Sequence, residues 1–195
     1  KLTENIEETS TATLNASNTG NADYNNVLIY PTKNAIAVMG NLDMPLIDLN
    51  GADNVTIDGR QNSEGSSKSL TIINLSSSST SGTSTLHFVN DASNNTVKNC
   101  MLRGASTAST GGIIFFNTGT NTGNDNNTIS NNDISCASDY NRPVNAIYSI
   151  GTSESIANKN ISINGNNFFN FFNRSLNSFG INLNEYNSDC TVSNN

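Results

Sequence analysis

Charge is scarce in this chain. Charged residues form only 13% of its 195 residues, and the formal net charge is −7. No cluster of lysine and arginine occurs, whereas a surface that binds nucleic acid needs concentrated positive charge. Long hydrophobic runs are missing too, because no apolar stretch approaches the roughly 20 residues of a membrane span. We therefore expect neither nucleic acid as a partner nor insertion into a membrane.

Cysteine and histidine are equally sparse. The chain has three cysteines, Cys100, Cys136 and Cys190, and one histidine, His87, with no Cys-x-x-Cys motif. These spacings exclude the usual zinc sites and do not form a disulfide framework. Residues 124–127 (NDNN) are rich in oxygen atoms but lack the spacing of a calcium loop, so only adventitious calcium binding is expected there. No metal or cofactor site is predicted.

Asparagine is abundant instead, with 38 of the 195 residues. Val, Ile, Leu and Phe recur in short clusters between Asn, Gly and Ser, a pattern typical of short strands joined by turns. One motif recurs as NTVKNCML at residues 95–102, NTISNNDI at 127–134 and, more loosely, ISINGNNF at 161–168. Its apolar anchors are spaced 40, 32, 34 and 29 residues apart, at Ile57, Val97, Ile129, Ile163 and Val192.

A second motif recurs at a nearly constant distance from the first. Short apolar strands begin at Ile114, Ile147 and Ile181, which lie 17, 18 and 18 residues after the preceding anchors. Such spacing predicts a coil of parallel strands in which the inward residues of successive turns stack into apolar columns. The predicted fold is all-β, a right-handed single-stranded parallel β-helix, or solenoid. A third column is expected five residues after the anchors, from Leu102, Ile134 and Phe168.

Asparagine or glycine follows the anchors at corresponding places, namely Asn99, Asn131, Gly165 and Asn194. A sharp bend between two strands needs left-handed backbone, which these residues tolerate best. Stacked asparagines also form ladders of amide hydrogen bonds. We therefore predict a structural turn ladder at these four positions rather than a ligand site.

Two regions are expected along the chain. Residues 1–50 precede the clean repeats and are predicted to form N-terminal capping strands and the first turn, because an open solenoid end exposes strand edges and core. Residues 51–195 are predicted to form turns of about 30–40 residues each. The sequence ends in the middle of a repeat, so we expect a β-helix truncated at its C-terminal end and belonging to a longer protein.

Four segments carry a resemblance to a known group. Residues 45–60 (PLIDLNGADNVTIDGR), 90–97, 123–129 and 142–149 resemble β-helix regions in large secreted proteins of Bacteroidetes. The resemblance implies export by the type IX secretion machinery and a secreted or cell-surface location. It also implies membership of the pectate-lyase-like superfamily, which includes polysaccharide lyases, glycoside hydrolases, adhesins and passive stalks. Because these proteins share a fold and differ in activity, function must be argued from the site.

Catalytic constellations are not evident in the sequence. Glycoside hydrolysis needs two positioned carboxylates, and the motif set of polygalacturonases is absent. A lyase needs a base, often an arginine or a lysine. The Arg-x-Pro-x-x-Arg element found in the superfamily is absent, and Arg142-Pro143 matches only part of it. Asp58, which precedes a glycine at a strand end, is typical of turn chemistry. The candidate ligand contacts are therefore the loop residues Asp139, Tyr140 and Arg142.

Two functions are compatible with these patterns. The leading hypothesis is an extracellular module of a large surface protein with a structural or adhesive role and a candidate glycan-binding surface, without catalysis in this segment. Its partners would be polysaccharide or other surface proteins. The alternative is the N-terminal part of a polysaccharide lyase or glycoside hydrolase of the pectate-lyase-like superfamily.

Overall fold

The computed structural model describes all 195 residues and contains twenty β-strands. The single helical element is a short 3₁₀ turn, Gln61–Ser63, and no helix is long and apolar enough to cross a membrane. Eighteen of the strands form three six-stranded sheets, in which all pairings are parallel. The chain visits sheet 1, sheet 2 and sheet 3 in order and repeats the circuit about six times.

Within each sheet the strands lie side by side in the order of the turns. Sheet 1 contains β1 (Ile6–Glu8), β4 (Ile36–Gly40), β7 (Leu70–Asn74), β10 (Met101–Gly104), β13 (Asp133–Cys136) and β17 (Asn167–Phe169). Sheet 2 contains β2 (Ala12–Asn15), β5 (Pro45–Asn50), β8 (Ser84–Val89), β11 (Gly112–Phe116), β14 (Asn145–Ser149) and β18 (Phe179–Leu183). Sheet 3 contains β3 (Val27–Ile29), β6 (Val55–Asp58), β9 (Thr96–Lys98), β12 (Thr128–Ser130), β16 (Ser162–Asn164) and β20 (Thr191–Ser193). A small extra pair joins β15 (Asn158–Lys159) to β19 (Asn187–Ser188).

The three predicted columns coincide with the three sheets. The anchors of the first motif pair in register along sheet 3, in the order Ile57, Val97, Ile129, Ile163 and Val192. Sheet 2 aligns Leu86, Ile114, Ile147 and Ile181, and sheet 1 aligns Leu102, Ile134 and Phe168. The parallel β-solenoid predicted from the repeat is confirmed.

The interior of the coil is an unbroken apolar core of 24 buried residues. Phe88 and Phe116 stack on neighbouring turns of sheet 2, with ring centroids 4.5 Å apart. Each turn is covered by the turns above and below it, so a single turn could not bury its own apolar face. At the N-terminal end the core opens into an apolar cavity of about 290 Å³ lined by residues such as Leu2, Leu14 and Ile29.

The bends after the sheet 3 strands have the left-handed backbone expected from the sequence. The φ angles are 56° at Asn99, 55° at Asn131, 64° at Gly165 and 55° at Asn194. The sequence did not single out a second left-handed column, which precedes the strands of sheet 3. It consists of Asn54, Asn94, Asn126, Asn160 and Asp189, with φ angles between 54° and 59°.

The buried amide ladder lies one residue further along the chain than predicted. Asn132 and Asn166 are buried, and the Asn132 Nδ2 donates to Asn166 Oδ1 at 3.0 Å. Asn166 Nδ2 continues the ladder to Asn195 Oδ1 at 2.9 Å. The left-handed residue turns the chain, and the side chain that follows it then points inward to bind backbone groups. Asn131 and Asn194 thus supply the bend, and their neighbours supply the hydrogen bonds.

Residues 1–50 contain β1 to β5, which form the first turn and two strands of the second. Each of these strands pairs with a strand of the next turn, as in the register Ile6 to Val38 and Ala12 to Ile47. All five strands of this segment belong to the three sheets of the solenoid. Residues 51–195 supply the remaining strands of the six turns.

Candidate functional site

A row of side chains runs along the outer face of sheet 2. Asp48, His87, Phe115, Tyr148 and Asn182 occupy the same register position on successive strands. They alternate with the inward core residues and therefore point away from the core. The rings are close, with centroids 5.1 Å apart for His87 and Phe115 and 5.5 Å apart for Phe115 and Tyr148. This row provides the floor on which a surface groove is built.

The groove lies over the C-terminal end of this row and has a volume of about 530 Å³. Eleven residues line it, and none of them is an acid, a lysine, an arginine or a histidine. Hydroxyl and amide side chains supply most of the lining, and aromatic and aliphatic ones supply the rest. The residues are Thr107, Ser109, Thr110, Val144, Asn145, Tyr148, Leu176, Asn177, Phe179, Asn182 and Asn184.

Hydrogen bonds fix the polar side chains of the groove floor. Asn184 Nδ2 donates to the Tyr148 hydroxyl at 2.9 Å. Asn145 is buried, and its Nδ2 donates to the backbone carbonyl of Gly111 at 3.0 Å. Asn182 Nδ2 is 3.3 Å from Asn145 Oδ1. Because these contacts hold the amides in place before a ligand arrives, little side-chain entropy would be lost on binding.

One wall of the groove is the loop between β17 and β18. Asn173 organises it, since its Oδ1 accepts from the backbone N–H groups of Ser175 and Leu176. Asn173 Nδ2 also donates to the Arg142 carbonyl at 2.7 Å, which ties this loop to the loop of the preceding turn. Leu176 of this loop is 48% exposed, and Phe179, the first residue of β18, adds a second apolar side chain at 44% exposure.

The three predicted contact residues lie in the loop between β13 and β14, which the hydrogen bond from Asn173 to Arg142 ties to this wall. Tyr140 is 85% exposed, and the guanidinium carbon of Arg174 is 5.9 Å from the centre of its ring. Arg142 Nε donates to the Asp139 carbonyl at 3.2 Å. None of the three lines the groove, and Asp139 lines a separate small pocket. Their role as ligand contacts stays a prediction.

Sequence reasoning missed Asn182, Asn184 and Phe179. A signal for the first was present in the repeat, since Tyr148 and Asn182 each follow the apolar anchor of a sheet 2 strand and must face outward. Phe179 carries no such signal. It lies two residues before the inward Ile181, so strand alternation predicts that it faces the core, yet it is 44% exposed.

The ionisable groups with the most contacts have structural roles. Asp58 is buried and pairs with Arg60 at 2.6 Å. Burial disfavours its charged form, but hydrogen bonds from Arg60 and Asn99 outweigh burial and hold the pKa of Asp58 below its usual value. His87 Nδ1 is 2.9 Å from Asp48 Oδ1. No group of three or more His, Cys, Asp or Glu side chains is arranged to hold a metal ion.

Asp91 closes the loop that follows β11. Its carboxylate accepts hydrogen bonds from the backbone N–H groups of Thr120, Asn121, Thr122 and Gly123, and from two side chains of the same loop. Burial opposes ionisation, but these bonds outweigh it and hold the pKa of Asp91 well below its usual value. The carboxylate is therefore occupied as a clamp of the loop.

No protein-family model matches the chain, and no curated protein and no solved structure matches it significantly. The fold defines the class, a parallel β-solenoid. Because this architecture carries many unrelated activities, the function must be argued from the groove itself.

Proposed function

We propose that the chain is a non-catalytic β-solenoid module of a secreted or cell-surface protein, and that it binds neutral polysaccharide in the groove over sheet 2. The observation that carries this proposal is the lining of the groove, which combines hydroxyls, amides and an exposed phenyl ring without a charged side chain. Neutral sugars offer the matching chemistry, namely many hydroxyls on a ring with apolar faces.

Each part of the groove has a role in this proposal. Asn182 and Asn184 carry amides that donate and accept, so each can pair with adjacent sugar hydroxyls. Phe179 offers an exposed aromatic face on which a sugar ring can stack, and Leu176 extends the apolar wall. Binding of this kind needs no cofactor.

The same lining argues for binding rather than turnover at this site. Hydrolysis of a glycosidic bond needs a carboxylic acid and a carboxylate on either side of it, and the groove has neither. A lyase needs a positioned base and a cationic partner for the uronate carboxylate. The groove has no cationic side chain to pair with such a carboxylate, so we favour the adhesive hypothesis over the enzymatic one.

An extracellular setting fits the proposal. The resemblance to secreted Bacteroidetes β-helix proteins implies a surface location with type IX secretion machinery as a transport partner. Polysaccharides of a cell wall or matrix would be accessible there. The acidic balance of the chain, −7, would weaken binding to polyanionic glycans and favour neutral ones.

The test is a glycan array of neutral and acidic polysaccharides, followed by calorimetry on each bound glycan. Phe179→Ala should weaken binding about 5- to 10-fold through loss of ring stacking, and Asn182→Ala should weaken it to a similar degree. Phe172→Ala is the matched control, since Phe172 is 65% exposed and does not line the groove. Equal losses for Phe172 and Phe179 would contradict the assignment of the groove, and turnover of any polysaccharide would contradict a non-catalytic role.

A further inference from the structure

A second concavity lies on the outer face of sheet 1, against the loop that holds Tyr140. We call it the Arg103 pocket. Its volume is about 210 Å³, and its lining includes Arg103, Ser135, Ser138, Asp139 and Phe169. It is smaller than a typical pocket for a drug-sized ligand and suits a group of the size of one sugar ring.

Three of these residues stand in a line across neighbouring strands. Arg103 pairs with Ser135, and Ser135 pairs with Phe169, in the register of β10, β13 and β17. They alternate with the inward residues Leu102 and Ile134 and so project outward. Neighbouring strands are about 4.8 Å apart, so a guanidinium, a hydroxyl and a phenyl ring follow one another over about 10 Å.

Two polar groups of this line have no partner within the protein. The four ion pairs are formed by Arg60, Lys68, His87 and Lys98, so the Arg103 guanidinium takes part in none of them. The side chains of Arg103 and Ser135 also form no hydrogen bond inside the protein, and the Ser135 hydroxyl is open to the pocket although the residue as a whole is only 3% exposed. A half-buried guanidinium beside a hydroxyl is a site prepared for a planar anion, because its fork matches a carboxylate bidentately.

The other residues that line the pocket favour an anion that carries an apolar face. Phe169 is 38% exposed and offers an apolar face beside the hydroxyl of Ser135. A simple inorganic anion would leave this face unused, whereas a ring that carries a carboxylate would cover it. Asp139 is the only acid that lines the pocket.

We propose that the Arg103 pocket binds a terminal sugar residue that carries a carboxylate, such as a uronic or sialic acid. Arg103 holds the carboxylate, the serine hydroxyls contact the ring hydroxyls, and Phe169 packs on the apolar face of the ring. The pocket is separate from the neutral groove over sheet 2, so its occupancy does not depend on the function proposed for that groove.

The experiment is a titration of the ¹⁵N-labelled chain, followed by amide chemical shifts, with glucuronate and N-acetylneuraminate as probes. Glucose tests the need for the carboxylate, and acetate tests the need for the ring. At least one sugar acid should shift the resonances around Ser135 and Phe169 and bind at least tenfold more tightly than glucose or acetate. Binding should weaken with added salt.

Variants locate the binding within the pocket. Arg103→Gln should weaken sugar-acid binding roughly 10- to 100-fold, and Arg103→Lys should retain part of it, because a lysine keeps the charge but loses the fork. Asp139→Asn should strengthen it about twofold by removing a like charge. Arg174→Gln is the matched control, since Arg174 lies over Tyr140 and outside the pocket.

Several results would overturn the proposal. These are no shift with either sugar acid, equal dissociation constants for acetate and the sugar acids, or binding that survives in a folded Arg103→Gln variant. The amide spectrum of each variant reports its fold, and Arg103→Lys keeps the test decisive if the glutamine variant misfolds. If neutral glycans do not bind the groove over sheet 2, the expected binding of sugar acids to the Arg103 pocket is unchanged. The two proposals can therefore be refuted independently.

Discussion

The buried asparagine ladder allows a sharp test of what stabilises this solenoid. Asn132 is fully buried and uses both ends of its amide. Its Oδ1 accepts from the backbone N–H of Cys100, and its Nδ2 donates to the backbone carbonyl of Val97, each at 2.9 Å. Asn132→Ala removes both contacts: the Cys100 N–H is left unpaired between two turns, and the Val97 carbonyl keeps only the partner that the strand register gives it.

The expected cost follows from these two groups. A buried N–H without a partner costs about 1–3 kcal/mol and a lost hydrogen bond about 0.5–1.5 kcal/mol, so we expect Asn132→Ala to lower the free energy of unfolding by about 2–4 kcal/mol. The neighbouring Asn131 is exposed and left-handed, with a φ of 55°. Asn131→Ala should cost only about 1 kcal/mol, through backbone strain alone, and Asn131→Gly should relieve that strain.

Chemical denaturation measures the total loss, and amide hydrogen exchange locates it. The Cys100 amide should exchange much faster in Asn132→Ala and keep its protection in Asn131→Ala. Asn167→Ala is the control, because Asn167 is exposed and its side chain forms no hydrogen bond within the protein; its cost should stay within about 0.5 kcal/mol. A loss below about 1 kcal/mol for Asn132→Ala, with Cys100 still protected, would refute the reasoning.

Three further predictions concern other parts of the solenoid. Because the pKa of Asp91 lies below the roughly 3.9 of an unfolded chain, its stabilisation should be complete above about pH 5 and fade as the pH falls through 4. Asp91→Asn should lower the free energy of unfolding by about 2 kcal/mol at pH 7 and reduce the loss of melting temperature below about pH 5. An unchanged loss at acid pH would contradict the role of Asp91 in holding the loop. Burial raises the pKa of Cys100, so iodoacetamide at pH 8 should label it only after unfolding, and mass spectrometry showing rapid labelling of the folded chain would contradict this. Gly59→Ala would drive a methyl group into the carbonyl of Asn99 and should cost about 3 kcal/mol in denaturation, whereas a neutral effect would mean that the turns separate easily.

The architecture could be predicted from the repeat, because the bends depend on residue type and the strands depend on the spacing of apolar residues. Val97 and Ile129 are 32 residues apart in the chain, yet each must face the core in its own turn, so the spacing of apolar residues reports the circumference of the coil. Asparagine at bends is equally informative, since few residue types tolerate a left-handed backbone. The columns and the bend residues therefore follow from the order of residues.

The position of the amide ladder was harder to predict. Asn131 and Asn132 are adjacent and identical in chemistry, and which of them turns inward depends on the dihedral angles of the bend. The structure gives the left-handed angle to Asn131 and the buried amide to Asn132. No rule based on residue type separates these two roles.

The sequence by itself determined the parallel solenoid, its register and the bends that follow the strands of sheet 3, because each follows from the spacing of apolar residues and from the tolerance of asparagine for left-handed backbone. Only the tertiary structure decided the two candidate sites. The groove joins Ser109, Tyr148 and Phe179, and the second pocket joins Arg103, Ser135 and Phe169. These residues come from different turns, and stacking of the coil and packing of loops without a repeat bring them together.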